Sequence, residues 1–92
     1  MSLLSHDVVD ERLRGGAWHR EGDALVRDLE LADFAAAMAY AQRVGALAEA
    51  ANHHPDILVH GWNKVRLTLS THSAGGLTEA DLALAAQIDG LA

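Results

Sequence analysis

Residues 49–55, with the sequence EAANHHP, mark the point at which a long helix has to stop and two histidines follow one another. Pro55 has no backbone N–H and disfavours helical geometry in the residue before it. We therefore expect His54 to be the last helical residue or the first one beyond the helix. Glu49 lies four residues before His53, which would place both side chains on one face of the final turn. This stretch divides the chain and is its first candidate for a functional site.

A third histidine, His72, extends this candidate site. It follows an alternating, strand-like segment and precedes the glycine pair Gly75-Gly76. An imidazole ordinarily titrates near pH 6.5, so it can act as an acid or as a base at neutral pH. Three histidines at the ends of elements, beside a carboxylate, therefore predict acid–base chemistry.

The composition limits the classes of function. The 92 residues, half of them hydrophobic, predict a single domain covering residues 1–92. Thirteen acidic and seven basic residues give a formal net charge of −6, which argues against nucleic-acid and anionic-membrane partners. The sequence contains no membrane-length apolar run and no signal-peptide pattern, so we expect a cytoplasmic protein. The absence of cysteine excludes disulfides and thiolate metal ligands.

The first third of the chain predicts a short helix and a hairpin. Ser5 is a candidate N-cap, and Gly15-Gly16 is typical of a helix end. Residues 17–21 and 24–31 flank the turn pair Gly22-Asp23, which predicts two antiparallel strands.

A helical period then runs from Asp33 to about His53. The apolar positions of the predicted stripe are Phe34, Met38, Ala41, Val44, Ala48 and Ala51. Gly45 lowers helix propensity by about 1 kcal/mol relative to alanine. Its presence in mid-helix predicts close packing against a strand or another helix.

Two more strands and a final helix are predicted after Pro55. Residues 57–60 form a short apolar run, and residues 64–71 alternate between apolar and polar side chains. Thr78 and Asp81 have the spacing of a capping box. The apolar stripe of the final helix is Leu82, Ala85, Ile88 and Ala92. The order α-β-β-α-β-β-α predicts an α+β fold, a four-stranded antiparallel sheet with three helices packed on one face.

The paired segments at residues 49–56 and 71–81, in this order of elements, carry a family resemblance that covers nearly the whole chain. The supporting residues are Trp18, Asp33-Phe34, Trp62, Leu84-Ala85 and Ile88-Asp89. The chain resembles the pterin-4a-carbinolamine dehydratases. It departs from them at Asn52, where many relatives carry an acidic residue, and at Trp62, where the mammalian members have tyrosine.

The resemblance implies the dehydration of 4a-hydroxytetrahydropterin to quinonoid dihydropterin, a step that recycles the cofactor of aromatic amino-acid hydroxylases. It implies a pterin substrate, no metal, no bound cofactor, and a homodimer or homotetramer. The positions that match the family's catalytic histidines are His53, His54 and His72. We expect His53 and His72 to do acid–base work at the hydroxyl, and His54 chiefly to hold the substrate.

Further substrate-binding candidates follow from the same resemblance. Together with His54 they are Glu49, Pro55, Trp62, Thr71 and Asp81. Glu49 is expected to orient or polarise His53, and the backbone of Pro55 to shape the pocket.

Simpler roles remain open for several of these residues. Capping alone would account for Asp81, and Glu49 has the character of an exposed helix residue. Trp18 and Trp62 suit the core or a pocket wall. The remaining histidines fit no constellation and are expected at the surface; they are His6, His19 and His60.

Two other functions compete with the dehydratase. Three histidines can bind zinc, although adjacent side chains diverge by about 100° on a helix. A non-catalytic dimerisation or scaffold module of the same fold is the main alternative. The three histidines favour the enzyme, because a scaffold does not need them.

Overall fold

The structure is a computed structural model that describes residues 2–91. In chain order its elements are α1 (His6–Leu13), β1 (His19–Glu21), β2 (Ala24–Glu30), α2 (Phe34–Ala51), β3 (Asp56–His60), β4 (Lys64–Leu69), a 3₁₀ helix (His72–Ala74) and α3 (Glu79–Asp89). Ala92, the last position of the predicted stripe in the final helix, lies outside the described residues. Across residues 2–91, no helix combines the length and the apolar character needed to cross a membrane.

The four strands form one antiparallel sheet in the order β1-β2-β4-β3. Strand β4, one of the two central strands, pairs with β2 from Leu25↔Leu69 to Glu30↔Lys64, and with β3 along the whole of β3. The predicted α+β class and the order α-β-β-α-β-β-α are confirmed. The predicted β1–β2 hairpin is present, and β3 and β4 form a second antiparallel pair.

Side chains alternate along β4 between the helices and an open face. Val65, Leu67 and Leu69 have no exposed surface and pack into the hydrophobic core with the helices. On the other face Arg66 donates to Glu21 at 2.9 Å and lies 3.8 Å from Asp28. The open face therefore carries ion pairs, as the apolar–polar alternation predicts.

The buried face of α2 differs from the predicted stripe. Phe34 and Met38 are about half exposed, at 54% and 48%. The buried positions are Ala37, Tyr40, Val44 and Ala48, at spacings of three, four and four. Because this helix has apolar residues on all sides, its period fixes the element but not the face that is buried.

The end of α2 also differs from the prediction, since the helix ends at Ala51 and not next to Pro55. Asn52 adopts a left-handed conformation with φ of 51°, which asparagine tolerates better than most residues. Its N–H donates to Glu49 O at 3.1 Å, and the N–H of His53 donates to Ala48 O at 3.1 Å. This pair of bonds is a Schellman motif, whose left-handed residue, Asn52, lies three positions before the proline.

Side-chain caps begin all three helices, at Ser5 and Thr78 as the sequence predicts, and also at Asp33. Ser5 accepts from the N–H of Val8, and Asp33 accepts from that of Ala36. Thr78 and Asp81 form the complete capping box of α3. These bonds satisfy N–H groups that a helix start would otherwise leave without partners.

A bidentate ion pair connects helix α1 to β1. Arg20 donates to the two carboxylate oxygens of Asp10 at 2.7 and 3.0 Å. These hydrogen bonds lower the pKa of Asp10. The contact fixes the short helix beside the first hairpin.

The expectation that Gly45 packs closely is wrong, because a Cβ at this position would meet nothing within 4 Å. Gly45→Ala should therefore raise the free energy of unfolding by about 1 kcal/mol, the difference in helix propensity. Urea denaturation of both proteins measures this. Gly22→Ala is the matched control: the space is equally open, but φ is 59°, so the same methyl group should destabilise the protein. A destabilising Gly45→Ala would contradict the assignment of free space at this position.

Candidate active site

The candidate site is built around the carboxylate of Asp81, in the first turn of α3. Asp81 has no exposed surface. Its Oδ1 lies 2.6 Å from His53 Nε2, while its Oδ2 accepts from the Thr71 hydroxyl at 2.7 Å and from the Thr78 N–H at 2.9 Å. Three donors thus compensate a buried charge that would otherwise be costly to remove from water.

The Schellman motif at the end of α2 places His53 against Asp81. The left-handed turn at Asn52 changes the chain direction, and the bond from His53 N to Ala48 O holds the backbone after the turn. The side chain of His53 is 16% exposed. His53 is therefore anchored at its backbone and at one ring nitrogen, while part of its surface still reaches solvent.

Thr71 connects His72 to the same carboxylate. Its N–H donates to Gly76 O at 2.9 Å, and its own carbonyl accepts from Ala74 and Gly75, which closes the loop at residues 71–76. His72 begins the 3₁₀ helix in this loop and is exposed. The side chain of Thr71 points back to Asp81, so a single residue links the loop of His72 to the partner of His53.

Glu49 contacts His54 and not His53, which corrects the expected pairing. His54 Nε2 lies 2.5 Å from Glu49 Oε2, and both side chains are more than half exposed. The predicted pairing assumed that the helix continued to His53. Because the left-handed residue at position 52 intervenes, His53 turns towards α3 and His54 takes the place beside Glu49.

Trp62 does not lie beside His53 and His54 in this structure. Pro55 directly precedes β3 and stays next to the site, whereas Trp62 lies in the turn at the far end of that strand. Four residue steps along a strand cover about 13 Å. Trp62 is 61% exposed, and its φ of 61° is unusual for a bulky residue.

Burial corrects the roles expected for Asp81 and Thr71. Asp81 is fully buried and Thr71 is 6% exposed, so neither presents its polar group to a substrate. Their hydrogen bonds serve His53 and the helix cap instead. Thr78 belongs to this network through its contact with Thr71, 2.9 Å between the two hydroxyl oxygens. The capping pattern at residues 78–81 was the available signal for it, although it did not indicate the contact with Thr71.

The remaining histidines lie outside the site. His6, His19 and His60 are all exposed, as predicted. His6 pairs with Asp23, and His19 pairs with Glu21. Within residues 2–91 no group of three His, Asp or Glu side chains is arranged to hold a metal ion.

A separate cavity of about 220 Å³ lies between the end of α1 and the outer part of α3. Its wall includes Trp18 and Asp89, and none of the candidate site residues lines it. Asp89 accepts from Trp18 Nε1 at 2.8 Å and from Arg27 at 2.5 Å. These contacts give Asp89 a structural role, and we place the candidate site by its chemistry, at Asp81.

The arrangement offers two imidazoles from different elements for proton transfer. His53 is oriented by a buried carboxylate, the way in which a catalytic histidine is commonly fixed. His72 is presented by a short closed loop. Beside them, the exposed pair of His54 and Glu49 can donate and accept hydrogen bonds.

Comparison with known proteins identifies the family. The family model described as "Pterin 4 alpha carbinolamine dehydratase" matches residues 2–91. A relative from Chloroflexus aurantiacus, named "Putative pterin-4-alpha-carbinolamine dehydratase", is 49% identical over 87 residues, covering 95% of this chain and 92% of the relative.

Two solved structures are similar. The crystal structure of a "transcriptional coactivator/pterin dehydratase" from Brucella melitensis has a TM-score of 0.86 and 30% identity, covering 96% of each chain. A "pterin dehydratase-like protein", described as a RuBisCO assembly factor in the alpha-carboxysome, has a TM-score of 0.67 and 29% identity, covering 84% of this chain and 90% of that one. From the match over residues 2–91 and the similarity to these proteins, we conclude that the chain belongs to the pterin 4 alpha carbinolamine dehydratase family.

Proposed function

We propose that this protein dehydrates 4a-hydroxytetrahydropterin to quinonoid dihydropterin by histidine acid–base catalysis. The observation that carries the proposal is the shared carboxylate of Asp81, which holds His53 directly and reaches the loop of His72 through Thr71. Membership of the dehydratase family supports the same reaction. A cytoplasmic location, in which the product would be returned to an aromatic amino-acid hydroxylase, stays a prediction.

The reaction needs one proton donor and one proton acceptor. The C4a–O bond breaks with its electron pair on oxygen, and a protonated imidazole supplies the proton that makes the leaving group water. A second imidazole takes the proton of a ring N–H, whose electron pair forms the new C=N bond. His53 and His72 are assigned these two roles, which exchange when the hydroxyl lies on the other face of the pterin.

His54 is assigned chiefly to substrate binding. It lies next to His53, is exposed, and is held by Glu49 at the surface of the protein. Its ring can therefore hydrogen-bond to the polar edge of a pterin without taking part in bond breaking. Pro55 fixes the chain direction after this pair and helps to shape the pocket.

Replacing either acid–base histidine should slow turnover. His53→Ala and His72→Ala should each lower kcat by about 10²–10⁴-fold for the stereoisomer in which that imidazole is the proton donor. The double variant should be nearly inactive with both stereoisomers. Stopped-flow assays with each synthetic 4a-carbinolamine measure these rates.

His60→Ala is the matched control for these variants, because His60 is exposed at the end of β3 and outside the site. It should retain wild-type turnover. Full activity of the double His53/His72 variant with both stereoisomers would refute the assignment. Circular dichroism melting of every variant separates loss of chemistry from loss of fold.

His54→Ala should act mainly on KM, because a group that binds the substrate and the transition state equally changes binding without changing the chemical step. Glu49→Gln should raise KM by a smaller factor, since it weakens the hydrogen bond to His54 but leaves the imidazole in place. Michaelis curves for both variants test this. A large fall in kcat at unchanged KM for His54→Ala would make His54 a catalytic residue.

We further propose that the protein forms a homodimer or homotetramer. The exposed apolar side chains of Phe34 and Met38 on α2 support self-association, because exposed apolar patches often mark interaction surfaces. Multi-angle light scattering at micromolar concentration should give a multiple of the 9.8 kDa chain mass. A mass of a single chain would contradict the proposal.

Protein binding without catalysis is the second candidate function. The same exposed residues of α2, and the similarity to a protein described as a RuBisCO assembly factor, favour it. The activity assay separates the two candidates. Wild-type protein that turns over neither stereoisomer would leave protein binding as the supported function.

A further inference from the structure

Asp81 is tied to two threonines whose hydroxyl groups lie in series. Thr71 Oγ1 is 2.7 Å from Asp81 Oδ2, and Thr78 Oγ1 is 2.9 Å from Thr71 Oγ1. Thr71 is 6% exposed, and Thr78 and Asp81 have no exposed surface. The three side chains therefore exchange hydrogen bonds with one another and not with bulk water.

Counting protons fixes which group donates in each of these hydrogen bonds. Each hydroxyl has one proton to donate. Because Thr71 donates its proton to Asp81 Oδ2, the bond between the two hydroxyls must use the proton of Thr78. The opposite direction would require a protonated Oδ2, yet this oxygen also faces the N–H of Thr78 at 2.9 Å. Only the direction from Thr78 to Thr71 to Asp81 lets the carboxylate accept from every neighbour.

The same count sets the proton on His53. With Oδ2 engaged as an acceptor, Oδ1 is left to accept from His53 Nε2 at 2.6 Å. Nε2 must then carry a proton in both the neutral and the charged ring. Nδ1 makes no hydrogen bond to any residue in the described range 2–91, so it is the nitrogen available to a substrate.

We propose that the hydroxyls of Thr78 and Thr71 act through Asp81 to keep the proton of His53 on Nε2, so that Nδ1 is the atom that exchanges a proton with the substrate. Thr71 and Thr78 are positioning residues in this arrangement. The catalytic part rests on the proposed dehydratase function. When His53 is the acid, Nδ1–H gives its proton to the departing hydroxyl, and the ring remains neutral with its proton on Nε2.

The first test reads the tautomer directly and needs no substrate. Nitrogen-15 chemical shifts of the imidazole of His53, assigned by comparison with His53→Ala, distinguish a proton on Nε2 from one on Nδ1. In the wild-type protein the neutral ring should carry its proton on Nε2. A proton on Nδ1 would overturn the proposal whether or not the protein is an active dehydratase.

The second test removes the hydroxyl that joins the chain. Thr71→Val keeps the shape of the side chain and should lower kcat by about tenfold to a hundredfold, the range for losing one hydrogen bond to a charged group. KM should not change, because Thr71 is buried away from the substrate. The nitrogen-15 spectrum of His53 should show a growing share of the Nδ1–H form.

Two further variants complete this test. Thr71→Ser retains the hydroxyl and should restore both the tautomer and kcat. Thr68→Val is the matched control for the loss of a threonine hydroxyl in a strand, since Thr68 lies on β4 outside the network, and it should behave as wild type. If Thr71→Val matches the wild-type protein in kcat and tautomer, the chain does not position His53. If the wild-type protein is inactive but has Nε2–H, the proposed reaction fails and the hydroxyl chain stands.

Discussion

The buried carboxylate of Asp81 joins parts of the structure that are far apart in the sequence. It completes the capping box of α3, and it accepts from Thr71 at the base of one loop and from His53 beyond the end of α2. A carboxylate without exposed surface needs these donors, because burying an uncompensated charge is costly. The requirement to satisfy one charge therefore holds the loop, the cap and the histidine in fixed relation.

Much of this architecture follows from local chemistry that the sequence displays. The alternation in β4 and the turn pair Gly22-Asp23 predict the sheet, and the Thr78–Asp81 spacing predicts the start of α3. The site histidines are predicted because residues 49–56 and 71–81 resemble the matching segments of the dehydratase family. Their partners could not be predicted in the same way, since His53 and Asp81 are 28 residues apart and meet only in the folded chain.

The errors in the buried face and in the end of α2 have separate physical causes. This helix carries apolar residues on all its sides, so its period does not say which of them face the sheet. The large side chains of Phe34 and Met38 predict burial, yet both are exposed. At the other end, Pro55 is the stronger stop signal in the sequence, but Asn52 reaches a left-handed conformation first. That earlier stop reassigns Glu49 from His53 to His54, so a small error in a helix boundary becomes an error in a functional pairing.

The double duty of Asp81 limits how catalysis and stability can be separated by substitution. Removing the carboxylate would take away the cap of α3 and the partner of His53 together, so an inactive variant would not say which loss was responsible. Removing the imidazole is different, because Asp81 keeps the Thr71 hydroxyl and the Thr78 N–H as donors. The space left by His53 borders on solvent, and water can supply the missing donor. Stability therefore depends mainly on the buried side of the network, while the chemistry depends on the imidazole at its solvent-facing edge.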